Sequence, residues 1–306
     1  MDEISVLAPA TVANVVCGFD CLGFALSEPC DEMTLRKIDE PIVRIINRDE
    51  YDLPTDPWKN VAGVALLAFL EAAKVDFGFE VEITKNIMPG SGIGSSAASA
   101  CGAVVAANAL VDNRFSKLEL VDLAMAGEAL ASGSRHADNL APCIYGGFTL
   151  VRSTEPLDIV EIDFPPLFAT VIHPQIEIKT SEARAILPKE VPLKSAIRNW
   201  SNLGSLVAAL AKGDYDLIAR SLEDNIVEPV RKSLITKFDE VKSASLTAGA
   251  LGGGISGSGP SIFMLSENAS TAETIKNAIA DVYSSTSIAF EMYVCPIASE
   301  GVRIAL

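Results

Sequence analysis

Positive charge is scarce in this chain, and so are histidine and tryptophan. Lys and Arg number 24 against 40 Asp and Glu in 306 residues, a formal charge of −16 at pH 7. So acidic a chain repels phosphate backbones and anionic leaflets, which argues against a nucleic-acid or membrane partner. Two histidines, and six cysteines without C-x-x-C spacing, suggest no zinc site. Cys17, Cys21, Cys30, Cys101, Cys143 and Cys295 read instead as reduced core thiols of a cytoplasmic protein. Long apolar runs are missing too. The longest, residues 61–70 and 97–107, fall well short of the roughly 20 residues of a bilayer span. The opening MDEISVLAP has no basic n-region and no apolar h-region, so no signal peptide is expected.

A hydrophobic content of 49% suits a substantial core, and 306 residues suit two domains or one large one. The stretch that organises the rest is PGSGIGSSAAS: Pro89, Gly90, Ser91, Gly92, Ile93, Gly94, Ser95, Ser96, Ala97, Ala98, Ser99. It follows an alternating run, residues 79–86, that predicts a strand. It opens into an alanine-rich run, 97–111, that predicts a buried helix. Three glycines permit unusual backbone angles and a close approach to a ligand. Ser95 and Ser96 fall at the first helical turn, where unpaired N–H groups and the dipole favour an anion. Strand, loop and helix start together predict a phosphate cradle. It is neither a Walker A loop, since no Lys-Ser or Lys-Thr closes it, nor a dinucleotide fingerprint, since the third glycine would fall on Ser95. Alone, it is equally a tight turn that binds nothing.

Around the loop, residues 4–7 predict a short strand. Residues 34–47 predict further strand, interrupted by a turn at 39–41. Helices are expected over 61–75, with Asn60 as N-cap, and from a capping box at Ser116 and Glu119 to about 131. Residues 132–147 read as a polar loop, and 148–151 and 159–162 as strand. Pro156, Pro165 and Pro166 break the pattern, which divides the chain into domains 1–160 and 161–306. Beyond lie a strand (169–173), helices (180–186, 194–211, 214–223, 233–248), a glycine-rich segment ending in strand (249–265), a helix (271–283) and a strand (287–294). Strands and helices mix without regular βαβ alternation, which predicts an α+β fold.

Three small-residue motifs stand in order: residues 8–26, 89–99 and 249–261. The trio resembles the small-molecule kinase superfamily named for galactokinase, homoserine kinase, mevalonate kinase and phosphomevalonate kinase (GHMP), from about residue 6 to 296. Within it, PATVANVVCGFDCLGFAL resembles the homoserine kinase family, whose usual form is P-x-T/S-x-A-N-L-G-P-G-F-D-x-L-G-x-A-L. SRHADN (134–139) and TSEAR (180–184) are similar to the same family. The chain departs at Val15, Val16 and Cys17, where Leu-Gly-Pro is usual.

The resemblance implies an N-terminal domain like domain 2 of ribosomal protein S5, with a left-handed βαβ crossover, joined to a ferredoxin-like C-terminal domain. It implies ATP and Mg²⁺ as cofactors, with Ser96 and Glu128 sharing the metal; the lesser reading of Glu128 is a solvated helix residue. It puts Asn60 beside the nucleotide, where capping its helix is compatible with that role. Asn14, Asn139 and Glu128 form the implied catalytic set. A zwitterionic acceptor such as L-homoserine needs a cation for its carboxylate, an acid for its ammonium and a polar group at its hydroxyl. Arg184 and Arg231 are candidate forks, and Asp20, His136, Asp138, Asn139 and Thr180 are expected to complete the pocket. Arg231 also reads as a surface arginine. Ser256 is expected to reach the pocket by packing the third motif on the cradle, and His173 to be structural. In the mevalonate kinase branch a catalytic aspartate follows the metal glutamate by eleven residues; here that position is Asn139, so no side-chain base is expected, unless Asp138 has taken over. A homodimer is expected as well. The alternatives are a sister kinase for another small alcohol, such as mevalonate, and a non-catalytic ligand-binding protein of the same fold.

Overall fold

β-Branched and aromatic residues alternating with polar ones build the first sheet, and a lysine continues the alternation into the site. The computed structural model describes residues 2–133 and 135–305. Ser134, the first residue of SRHADN, lies outside them. Strand β1 (Glu3–Ala13) pairs antiparallel with the 17-residue β2 (Leu22–Ile38), and β3 (Val43–Asn47) follows the expected turn. Helix α1 (Val61–Ala73) crosses to β4 (Gly78–Thr84), which runs parallel to β3 and antiparallel to β2. Helices α2 (Ser95–Leu110), α3 (Lys117–Ser132) and α4 (Leu140–Tyr145) come next. A hairpin, β5 (Phe148–Thr154) and β6 (Leu157–Ile162), then returns to the same sheet beside β2. Phe79, Val81 and Ile83 of β4 face the helices with Leu66, Phe69, Val104 and Val121, all buried in one core.

The second sheet begins at β7 (Phe168–Pro174). Helices α5 (Thr180–Ala185), α6 (Leu193–Lys212), α7 (Tyr215–Ser221), α8 (Glu228–Arg231) and α9 (Phe238–Thr247) lead to a hairpin of β8 (Gly252–Ile255) and β9 (Ile262–Ser266). Helix α10 (Ala269–Ser284) and β10 (Phe290–Pro296) follow, and β11 (Arg303–Ile304) returns to pair with β1. The order β10-β7-β9-β8, all antiparallel, is fourth-first-third-second in the chain. That is the ferredoxin-like arrangement. With the first sheet it makes a two-domain α+β fold.

The domains share a core. Ala8, Ala10 and Val12 of β1 and Phe24 and Leu26 of β2 are buried with Ala169, Phe263 and Cys295 of the second sheet. Phe24 meets Phe148 at 5.0 Å and Phe263 at 5.5 Å between ring centroids. Burial of one such ring contributes about 1.5–3 kcal/mol. The small residues of the first motif are therefore packing residues, and they let a second domain approach a sheet closely.

Several elements differ from expectation for identifiable reasons. β1 extends past residue 7 because Pro9 sits beside an irregularity in register, where a missing donor is tolerated. Residues 140–145 of the expected loop are helical although Pro142 is among them; Pro142 lies in the first turn, where its N–H has no intrahelical partner. The helix expected over 233–248 starts only at Phe238, because Lys237 adopts a left-handed φ of 67°.

Candidate active site

The second motif is a cradle made of backbone. Gly90, Gly92 and Gly94 have φ of 78°, 84° and 73°, angles costly for any other residue. A Cβ built on Gly90 meets nothing within 4 Å, whereas one on Gly92 would stand 2.5 Å from Gly259 O. Gly94 is the N-cap of α2 and supplies no side-chain cap. The first N–H groups of a 16-residue helix are thus left for an anion.

The third motif props this loop. Ser256 Oγ donates to Gly92 O at 2.8 Å and Ser261 Oγ to Ser91 O at 2.7 Å. Ser256 does not itself line the cavity, and neither do Ser91, Ile93, Ala97 and Ala98, which are buried behind the cradle.

Beneath the loop lies an ion pair that sequence reasoning missed. Lys85 pairs with Asp31 and donates to Ser95 O at 2.8 Å and Ser99 Oγ at 2.9 Å. All three ammonium protons are used. Asp31 also accepts from Asn86 N and Ile87 N, each at 2.9 Å. Burial pushes the lysine down from its ordinary value and the aspartate up, and each partner opposes the other's shift. A signal was present: Phe79, Val81, Ile83 and Lys85 share one period-2 face, and all four are buried.

Cradle and substrate candidates line one cavity of about 410 Å³. At its cradle end, Ser96 Oγ lies 3.1 Å from Glu128 Oε2. Asn60 caps α1 through Oδ1, accepting from Ala62 N at 2.9 Å and Gly63 N at 3.2 Å, while Nδ2 donates to Pro54 O at 2.8 Å. It lines the cavity with its cap role fully occupied, together with Leu53, Pro54, Val61 and Ile83.

The opposite end is charged. Arg184 forks Asp20 at 2.9 and 3.1 Å and reaches His136 Nε2 at 3.1 Å. Arg231 is buried, which removes the surface reading; it donates to Ala183 O at 3.0 Å and Gly257 O at 3.1 Å. Both guanidinium groups lie over Phe19, at 5.6 and 5.0 Å. Burial, then the neighbouring Arg184, pull Arg231 below its ordinary pKa. Burial likewise lowers His136, with Asp20 opposing. Asp138 is raised to about 7 by burial first, then by Asp20 and Glu128. Asn14, at a left-handed φ of 73°, receives Asp20 N at 2.9 Å and donates to Gly257 O at 2.7 Å. Thr180 Oγ1 lies 3.3 Å from Ser258 Oγ. Asn139 Oδ1 accepts from Thr11 Oγ1 at 2.8 Å. The structure thus brings Asp20, His136, Asp138, Asn139, Thr180, Arg184 and Arg231, contributed by both domains, together around one space. His173 is buried in the second sheet and does not line it.

A ferredoxin-like domain supporting a glycine–serine loop at the start of a helix, with both lining one cavity, points to the GHMP class of small-molecule kinases. The family model described as GHMP kinases N terminal domain matches residues 60–147, and the GHMP kinases C terminal model matches 206–285. A homoserine kinase from Chloroherpeton thalassium is 48% identical over 99% of this chain and 100% of its own length. One from Methanococcus vannielii is 41% identical over 93% of this chain and 94% of its own. The crystal structure of homoserine kinase from Cytophaga hutchinsonii superposes with a TM-score of 0.96 at 48% identity, covering 100% of this chain and 98% of that one. The mevalonate kinase of L. major in complex with R-mevalonate gives a TM-score of 0.72 at 18% identity, covering 94% of each chain; it shares the fold. The chain belongs to the homoserine kinase family of the GHMP kinases.

Proposed function

We propose that this chain transfers the γ-phosphoryl group of ATP to the hydroxyl of L-homoserine, giving O-phospho-L-homoserine in threonine biosynthesis. The observation that carries the reading is the Arg184–Asp20 pair beside Arg231 in the same cavity as the phosphate loop. A zwitterion offers that end a carboxylate for the guanidinium forks and an ammonium for Asp20 and Asp138. A sugar offers neither, and mevalonate lacks the ammonium.

ATP fits the loop by a test on the geometry: the space above Gly90 is the space a side chain would fill, and the start of α2 presents unpaired donors. Mg²⁺ fits the Ser96 and Glu128 pair, two hard oxygen ligands beside the phosphate position. Among the described residues no cluster of three His, Cys, Asp or Glu could hold a metal. Phosphate oxygens and water would complete the shell, as is usual for this ion. The ion, when bound, neutralises charge on the β- and γ-phosphates.

The chain's own residues supply position. The cradle fixes the donor, Arg184 and Arg231 hold the acceptor's carboxylate, and Asn139 orients its hydroxyl. The hydroxyl oxygen bonds to the γ-phosphorus as the bond to the β-bridging oxygen breaks and ADP leaves. The hydroxyl proton passes to the transferred phosphoryl group. A loose transition state needs little prior deprotonation, so no side-chain base takes part. The rival base is Asp138, favoured by its pKa of about 7. An ammonium beside it would restore the carboxylate and leave it as a binding group. No helix among the described residues is long and apolar enough to cross a membrane. The six cysteines are all free thiols, which suits a cytoplasmic setting.

A coupled assay with homoserine, mevalonate, galactose and shikimate tests the acceptor. Homoserine is expected to turn over far faster than the rest, and equal turnover of mevalonate overturns the reading. Glu128→Gln checks the nucleotide end, with kcat expected to fall on the order of 10²-fold as a charged metal ligand is lost.

A further inference from the structure

Three elements meet at one hydroxyl group. Thr11 of β1 is fully buried. Its N–H donates to Ile93 O in the phosphate loop at 3.1 Å. Its Oγ1 donates to Asn139 Oδ1, just before α4, at 2.8 Å. A Cβ built on Gly94 would stand 2.1 Å from Thr11 Oγ1 and 3.1 Å from Asn139 Oδ1. The loop, the strand and the asparagine are therefore packed without space between them.

This contact decides which way the Asn139 amide points. An asparagine has a donor end and an acceptor end of nearly equal size, and only its partners distinguish them. The Thr11 hydroxyl makes its side-chain bond to Asn139 and to no other described residue. Turning the amide over would leave a buried O–H without an acceptor, a costly arrangement. Oδ1 is thus held on Thr11. Nδ2 remains as the polar end of a side chain that lines the cavity, and no described residue accepts from it.

We infer that Thr11 is a positioning residue for phosphoryl transfer: it holds Asn139 with its donor toward the acceptor hydroxyl and the incoming phosphoryl oxygens. A reversed amide would set a carbonyl oxygen against an anionic group, which repels it. Because Thr11 also bonds the phosphate loop, one residue sets donor and acceptor in register. The inference rests on the placement of Asn139 at the acceptor hydroxyl proposed above.

A double-mutant cycle tests it. Thr11→Val removes the hydroxyl and keeps the shape. It is expected to lower kcat about tenfold, the size of one hydrogen bond, with both KM values within about twofold. Thr11→Ser is expected to restore kcat. Thr11→Val added to Asn139→Ala is expected to cause no further fall, because its effect runs through the amide. An equal fall in that background, or failure of serine to restore kcat, overturns the inference. Should Thr11→Val not fold by thermal melting, Thr11→Ala is read the same way. If Asn139→Ala keeps full kcat, the placement of Asn139 is wrong and the inference goes with it. If Asn139→Ala is impaired and Thr11→Val is not, the inference alone is wrong.

Discussion

Two ion pairs mark the two ends of the cavity, and they are built oppositely. Lys85–Asp31, under the phosphate loop, has side chains 2% and 0% exposed, and every polar hydrogen has a protein partner. Arg184–Asp20, at the acceptor end, has side chains 40% and 32% exposed. Desolvation penalises the first pair heavily, so it survives only because it is completely bonded. Water reaches the second, so its partners can exchange for charges on a ligand at small cost. In the function proposed above, the nucleotide end is a finished scaffold, and the acceptor end is a pair to be divided between the two charges of a zwitterion.

The largest effect that would break this contrast is on stability. Lys85→Met leaves a buried carboxylate alone and is expected to cost about 3–5 kcal/mol in urea denaturation. Arg184→Met is expected to cost under about 1 kcal/mol, as a half-exposed pair should. Equal losses would show that the two pairs do not differ as described.

Next in size is recognition. Arg184→Lys should raise the homoserine KM at least about tenfold, because a point charge cannot replace a bidentate fork. The ATP KM should stay put; a matching rise in both would move Arg184 to the nucleotide end. Asp138 sharpens the contrast through pH. Its folded pKa of about 7 lies above the ordinary 3.8, so the free protein loses this proton only as pH rises through about 7. Only the carboxylate binds an ammonium. kcat/KM for homoserine should therefore fall up to about tenfold per unit below pH 7, with kcat at saturation nearly flat, and Asp138→Asn should abolish the limb. A limb in kcat itself, lost in Asp138→Asn together with most of the rate, would make Asp138 the base. For stability the sign is the reverse of the usual carboxylate: protonated Asp138 favours the fold below 3.8, and that contribution is lost as pH rises through about 7.

The smallest effect concerns the turn that carries Asp20. Val16 has a left-handed φ of 61° where the family's usual residue is glycine, and its side chain is buried. Val16→Gly relieves about 1–2 kcal/mol of backbone strain and gives up about 1.5–3 kcal/mol of burial. The net change should lie within about 2 kcal/mol by thermal melting, with a homoserine KM shift of only a few-fold. A larger KM shift would mean that the strained turn itself presets Asp20.

Much of this site was legible because its signals are local. The Asn60 cap and the Ser116 capping box each act within four residues and the glycine loop within eleven, and all three form. What escaped depends on distance. Thr11 and Asn139 are 128 residues apart and Lys85 and Asp31 are 54, so no window contains either pair. Arg231, read as a fork, kept a second reading as a surface arginine because its acceptors, Ala183 O and Gly257 O, come from other elements. Helix α4 was hidden by Pro142, since a proline reads as a break unless its place in the first turn is known. The resemblance of three motifs supplied what periodicity could not: that these distant pieces belong to one site.

Strand β11 has a consequence for motion. The backbone leaves the first sheet after Ile162 and comes back to it at Arg303, where Val6 and Ile304 are partners. The ferredoxin-like domain is thus tethered at both of its ends, like a drawer on two rails. A clamshell opening between the domains would have to bend both tethers and tear a shared core at once. Two covalent tethers and one common core thus hold the two sheets as neighbours that bend together.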